Sequence, residues 1–209
     1  MLNRGMLKAL PSRAEREACR DAEKVKSALR KNLPPPVARP VLVVLSGLPG
    51  SGKSHFCSKL AERAPFLVVE SDALREALFA SPTHSPDESA RLFAAVHTAV
   101  SDYLSRGISI IVDATNLVER NREVLYNIAE RQGARLIVVG VEAPEELIRQ
   151  RLQERGQGLG TAGRSRADWS VYEKIKPTAE KIARRHFVVD TSRDINPVIV
   201  KILREIDRS

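Results

Sequence analysis

Eight consecutive residues, Gly47-Leu48-Pro49-Gly50-Ser51-Gly52-Lys53-Ser54, constrain this chain more than any other stretch. They fill the pattern GxxxxGK[ST] completely, and the flanks that the pattern needs are present. Val41-Leu42-Val43-Val44-Leu45 ahead of it reads as a short buried strand. Lys53 to Arg63 behind it has helical spacing, with Phe56, Leu60 and Ala61 available for one face. Strand, glycine loop and helix start bring successive backbone N–H groups and a positive dipole end onto one phosphate group. Gly47, Gly50 and Gly52, with Ser51 between them, let the backbone turn sharply and approach a ligand without a Cβ in the way. Lys53 is then placed to neutralise β- and γ-phosphates, and the Ser54 hydroxyl to ligate Mg²⁺. An ordinary glycine-rich turn requires none of these flanks. The stretch predicts a nucleoside-triphosphate site.

At 209 residues the chain has room for one α/β domain with a sizeable core and an appendage. No run approaches the roughly 20 apolar residues of a membrane span, and Met1 to Leu10 lacks the apolar centre of a signal peptide. Two cysteines, Cys19 and Cys57, are too few for a disulfide framework or a metal site, so a reducing cytoplasm is the expected compartment. The net charge of +8 suggests nucleic acid until its distribution is considered. Residues 1–40 hold ten Lys/Arg against four acids, a net +6 that leaves only +2 for residues 41–209. The basicity belongs mainly to an N-terminal arm.

In that arm, residues 12–31 read as one helix. Ser12-Arg13-Ala14-Glu15 is a capping box, and the apolar positions Ala14, Ala18, Val25, Ala28 and Leu29 are few and small. Pro34-Pro35-Pro36 and Pro40 stiffen the linker that follows. Such an arm serves either as a packing or oligomerisation helix, or as a basic patch that recruits a polyanion or a protein partner. The expected division is a 1–40 arm and linker followed by a 41–209 domain.

Phe66 to Glu70 is a second strand running directly into Ser71-Asp72-Ala73-Leu74-Arg75. Asp72 at that junction, with Arg75 one turn on, lies at the sheet edge where ligands of open α/β sheets sit. There Asp72 has the chemistry of a general base for an attacking hydroxyl, although Asp72 and Arg75 also fit a local helix-start pair. Ser85-Pro86-Asp87-Glu88 starts a long helix that ends at Gly107, before a third strand at 108–112. That strand ends in Asp113-Ala114-Thr115-Asn116. A carboxylate on a strand tip beside a phosphate loop suits a second Mg²⁺-organising group, whereas Asn116 fits equally an N-cap with Glu119 at N3. A helix from Leu117 to Gln132, a fourth strand at 135–141 and a helix from Pro144 follow. Arg149, Arg151, Arg155, Arg164 and Arg166 fall within eighteen residues that include one acid, Glu154. Such a run is either a solvated face or a helix–loop–helix lid, about 146–168, whose arginines close over a polyphosphate. Ser165 to Asp168 resembles a capping box for a return helix in which Trp169, Val171 and Tyr172 pack. His186 to Asp190 is the fifth strand, and Pro197 opens a closing helix. Five strands interleaved with helices predict a parallel sheet covered on both faces.

Placed in order, these pieces resemble the P-loop kinases that include the polynucleotide 5′-hydroxyl kinases and the zeta-toxin kinases. The resemblance spans about Val41 to Asp190 and rests on GLPGSGKS at 47–54, SDALR at 71–75, DATNLVERNR at 113–122 and ELIRQRLQERG at 146–156. It implies a doubly wound five-stranded sheet in the order 2-3-1-4-5, with ATP and Mg²⁺ as cofactors. It further implies Lys53 and Ser54 on phosphates and metal, and Asp72 as base on the acceptor hydroxyl. Arg75 would contact the acceptor, Arg151 and Arg155 would clamp the transferred phosphate, and Asp113 is the acid of the third strand. The adenine pocket is implied near Asp190 to Asn196 without a residue to name.

These readings lead to an ATP-dependent phosphotransferase. The first expected acceptor is the 5′-hydroxyl of a polynucleotide, and the second is a hydroxyl of a small molecule such as a sugar, nucleotide-sugar or antibiotic. A third possibility is a nucleotide-dependent switch that acts through a partner on residues 1–40.

Overall fold

A chain with apolar runs this short can bury them only by laying them side by side, and the strands do so. In the computed structural model, residues 12–156 and 167–208 are described. The elements run α1 (Arg13–Leu29), β1 (Val41–Ser46), α2 (Lys53–Ala61), β2 (Leu67–Glu70), α3 (Ser71–Leu78), α4 (Pro86–Ser105), β3 (Ile110–Asp113), α5 (Glu119–Arg131), β4 (Arg135–Glu142), α6 (Glu145–Gly156), α7 (Trp169–Ile175), β5 (Phe187–Asp190) and α8 (Asn196–Asp207). The strands form one parallel sheet in the order β2-β3-β1-β4-β5. That is the predicted order.

Alternation along β1 assigns its residues to two separate cores. Leu42 and Val44 join Val69, Val112 and the inner faces of α1, α3, α4 and α5. Val43 and Leu45 join Val139, Val141, Val189, Phe56 and Leu60 of α2, and Ile199 and Ile202 of α8. Burying a side chain such as Phe56 or Leu60 contributes roughly 1.5–3 kcal/mol each, which anchors α2 and with it the loop that α2 closes. Gly107 and Gly133 end α4 and α5 with positive φ, as their positions predicted. Among the described residues no helix is long and apolar enough to cross a membrane.

Two local expectations change. Helix α1 has the predicted capping box, but its packing face is Asp21, Ala22, Val25 and Leu29, while Ala14, Ala18 and Ala28 are exposed. The reason is tertiary: Arg91 of α4 grips Asp21 Oδ2 through Nε at 2.9 Å and Nη2 at 2.8 Å, which draws that side of the helix inward. Asn116 is not an N-cap. Helix α5 starts after Val118, and Asn116 takes a left-handed conformation at φ 44° with its side chain directed into the sheet. The capping role expected of Ser165 lies outside the described residues, and Asp168 itself caps α7 by accepting from the Val171 N–H.

Candidate active site

The loop between β1 and α2 is held by contacts that only its sequence permits. A Cβ on Gly47 would stand 2.3 Å from the Val141 carbonyl oxygen. Gly52 has φ +96°, and a Cβ there would meet the Thr191 side chain at 2.8–3.0 Å. The loop is therefore wedged between the ends of β4 and β5. Lys53 is almost fully buried at the first turn of α2, and its Nζ donates to the Leu48 carbonyl at 3.0 Å. Burial pushes its ammonium down to about 8, while the carboxylates of Asp113 and Asp72 act against that shift and the Arg155 guanidinium adds to it.

Sheet register brings the two acids to one edge. Glu70 of β2 is in register with Asp113 of β3, so Asp72, two residues beyond Glu70 at the start of α3, reaches the same rim. Asp113 is buried, which raises its carboxyl above the usual range, while the neighbouring Ser54 hydroxyl and Lys53 ammonium act against that shift. Ser54 and Asp113 thus set two hard oxygen donors side by side, the donor type Mg²⁺ takes. Among the described residues no cluster of three His, Cys, Asp or Glu exists, so a metal held here would complete its shell with water and phosphate oxygens. Lys53, Ser54, Asp72, Asp113 and Arg155 form one electrostatic unit.

Two predicted residues are occupied differently. Arg151 lies behind the loop, donating from Nη1 to the Gly50 carbonyl at 3.2 Å and Thr191 Oγ1 at 2.9 Å, and from Nη2 to the Thr191 carbonyl at 3.1 Å. Arg75 is buried against α4, donating from Nη2 to Ser89 Oγ at 3.2 Å with Glu88 Oε2 3.6 Å from Nη1. Among the described residues its Nε and Nη1 have no hydrogen-bond partner. Arg149 stacks over Trp169 at 4.0 Å, and Arg164 and Arg166 lie outside the described residues.

Two residues, Thr191 and Arg122, escaped the sequence, and a third, Asn116, was considered there as a helix cap. Thr191, just past β5, accepts from Arg151 and donates to the Ser51 carbonyl at 2.7 Å, which makes it the rear buttress of the loop. Arg122 is fully buried and donates to the carbonyls of Asn116 (2.6 Å), Glu180 (3.0 Å) and Lys181 (2.9 Å) and to Glu119 Oε2 (2.7 Å). Asn116 Nδ2 donates to the Leu45 carbonyl at 2.7 Å, fastening the β3–α5 loop to the end of β1. The signals in the sequence were the motif DATNLVERNR, which contains Asn116 and Arg122, and the stretch Asp190 to Asn196, which contains Thr191.

Beside the loop lies a cavity of about 600 Å³, lined in part by Leu48, Leu117, Ala143, Ile148, Tyr172 and His186. Such a volume suits a small ligand. Residues 42–189 match the family described as AAA domain. The chain belongs to this AAA domain family. The matched segment begins after α1 and takes in all five strands except the first residue of β1 and the last of β5. The AAA domain chain is 30% identical over 172 residues to the L-seryl-tRNA(Sec) kinase of Methanococcus maripaludis, covering 78% of this chain and 65% of that protein. It therefore spans about two thirds of that relative's length. Its fold is that of the Mycobacterium tuberculosis APS kinase solved with AMPPNP and APS, at TM-score 0.62 and 18% identity, covering 83% of this chain and 99% of the other. The Chaetomium thermophilum Kti12 solved with ADP-AlF3 has the same fold, at TM-score 0.63 and 20% identity over 78% and 97%.

Proposed function

We propose that this AAA domain protein is an ATP- and Mg²⁺-dependent kinase whose acceptor is a hydroxyl carried on a nucleic acid. The observation that carries the reading is the meeting of Asp72 and Asp113 around the buried Lys53 at the mouth of the phosphate loop. A carboxylate at that position gains attraction from the Lys53 ammonium in any role, and one beside a γ-phosphate can also accept the proton of an attacking hydroxyl. Asp72 takes that proton and orients the oxygen in line with the γ-phosphate. Lys53 and Arg155 offset the negative charge on the transferring group, and the backbone N–H groups of Gly50 to Ser54 hold the phosphates. Bound Mg²⁺ would add charge neutralisation across the β- and γ-phosphates, held by Ser54 and through Asp113. The two free cysteines are consistent with a reducing cytoplasm.

The nucleic-acid acceptor is supported by the relative named as a tRNA kinase and by the SDALR motif. Within it, the 5′-hydroxyl of a polynucleotide and a seryl hydroxyl on tRNA are both alcohols that Asp72 can deprotonate. A second reading, a small-molecule kinase, is favoured by the net charge of only +2 that residues 41–209 carry. Labelled γ-phosphate should be followed into 5′-OH RNA and DNA, seryl-tRNA and a metabolite panel, with the parent protein and Asp72→Asn side by side. Label in a nucleic acid that disappears with the variant is the expected result. Label only in a metabolite would overturn the acceptor, and equal transfer by the variant would overturn the base.

A further inference from the structure

Helix α1 lies before the segment shared with the AAA domain family, and its charges are sorted with unusual order. At about 100° per residue, Arg13, Arg16, Arg20, Lys24 and Ser27 fall within an arc of about 80°, and Lys31 continues it past the helix end. All of these side chains are exposed. The four acids of the helix are engaged elsewhere. Glu15 accepts from the Ser12 N–H in the capping box, Glu17 and Asp21 pair with Arg91 of α4, and Glu23 pairs with Lys26 and Arg30. Arg13, Arg20, Lys24 and Lys31 have no ion-pair partner among the described residues. A helix in solution gains by interleaving its charges. Here the acids neutralise the flanks and leave the outer stripe uniformly positive.

We propose that this stripe is a docking rail for the phosphate backbone of a double-helical nucleic acid. Residues 13 to 31 extend roughly 27 Å at 1.5 Å per residue, a length over which one strand of a duplex presents about eight phosphates. A membrane surface is the poorer occupant. An interfacial helix needs a large apolar face to insert, and the bulky apolar residues of α1, Val25 and Leu29, are already buried with Ala22, which leaves only the small Ala14, Ala18 and Ala28 exposed with Cys19. A single strand is poorer too, because the stripe has no aromatic side chain on which bases could stack. The rail is rigidly joined to the site: α1 packs on α3 and α4, and α3 begins with Ser71-Asp72. A duplex stem on α1 is therefore held at a fixed offset from the proposed base. The surface is argued from α1 alone, but its use in delivering an acceptor rests on the nucleic-acid reading above.

The test uses the full chain and three probes: a 5′-OH RNA hairpin, a DNA duplex of equal length, and phosphatidylserine vesicles. Binding is followed by fluorescence anisotropy, or by sedimentation for the vesicles, from 50 to 200 mM salt, for the parent and for a triple Arg13→Gln/Arg20→Gln/Lys24→Gln variant. The expected result is hairpin or duplex binding whose log–log salt slope falls by about 2–3 in the variant, at roughly 0.7–0.9 per phosphate contact removed. Affinity at 100 mM salt should drop at least tenfold while ATP binding and the melting temperature stay unchanged. Equal slope and affinity in the variant, no duplex binding by the parent, or tighter binding to vesicles would overturn the rail. Rail-dependent binding without label transfer to any hydroxyl of the probes would leave the rail standing and remove the nucleic-acid acceptor instead.

Discussion

Arg151 and Thr191 are joined twice: the guanidinium donates to the threonine hydroxyl at 2.9 Å and to its carbonyl at 3.1 Å, while the same hydroxyl donates to the Ser51 carbonyl at 2.7 Å. Forty residues separate the two in sequence. Their union makes the first long helix of the arginine-rich region part of the phosphate loop's support, with Arg155 one turn on left to act on Lys53.

The two arginines should therefore respond differently to substitution. Arg151→Ala removes three hydrogen bonds behind the loop and should cost about 1–3 kcal/mol of stability together with ATP affinity. Arg155→Ala should leave the melting temperature unchanged and, if its charge acts on the transferred phosphate as proposed, lower the rate of transfer by about 100-fold or more. Thermal melts with ATP titrations, and single-turnover transfer once the acceptor is known, separate the two. Identical behaviour in both variants would refute the division.

Lys53 predicts a pH signature. Its ammonium is held at about 8 in the folded protein against an ordinary 10.5. Between those values the unfolded chain keeps a proton that the folded protein has released, so stability of the nucleotide-free protein rises with pH across this window. The gain is on the order of 3 kcal/mol. Urea melts from pH 7.5 to 10.5 in the presence of chelator should show the rise, and Lys53→Met should abolish it. ATP affinity should move the other way, falling above pH 8 as the ammonium loses its charge. A melt profile identical in parent and variant would contradict the burial.

Arg122 tests the floor of the site. Replacing it with Met keeps the length but strands three backbone carbonyls and the Glu119 carboxylate. The expected loss is about 3–5 kcal/mol in denaturant unfolding. Arg122→Lys should recover little of it, because an ammonium cannot reproduce the planar fork. Full recovery would mean that charge alone, rather than the fork, holds these loops.

The α1–α4 junction predicts an effect on acceptor rather than nucleotide. Asp21→Asn weakens the grip of Arg91, which also lies over the Phe79 ring at 5.2 Å, at the end of α3. Stability should fall by about 1–2 kcal/mol. Acceptor KM should rise through the displaced α3 while ATP affinity stays within a few-fold. Isothermal titration with ATP and steady-state kinetics give the two readouts, and an equal change in both would place the effect at the phosphate loop.

Much of this protein could be read along the chain because its determinants are local. The strand–loop–helix around Gly47 to Ser54, the capping box at Ser12, and the glycine stops at Gly107 and Gly133 follow from spacing of a few residues, whereas the order of the sheet was implied only by the resemblance to P-loop kinases. Tertiary structure alone decided which side chains meet. Asp21 turned inward because a partner 70 residues away could satisfy it, and Asn116 left the N-cap for a carbonyl 71 residues back. Arg75 went to Glu88 and Ser89, and Arg151 to Thr191, since a buried guanidinium must find acceptors wherever the packing supplies them. Periodicity specifies which face of an element is apolar; it carries no information about the distant carbonyl that will lie against a polar atom on that face.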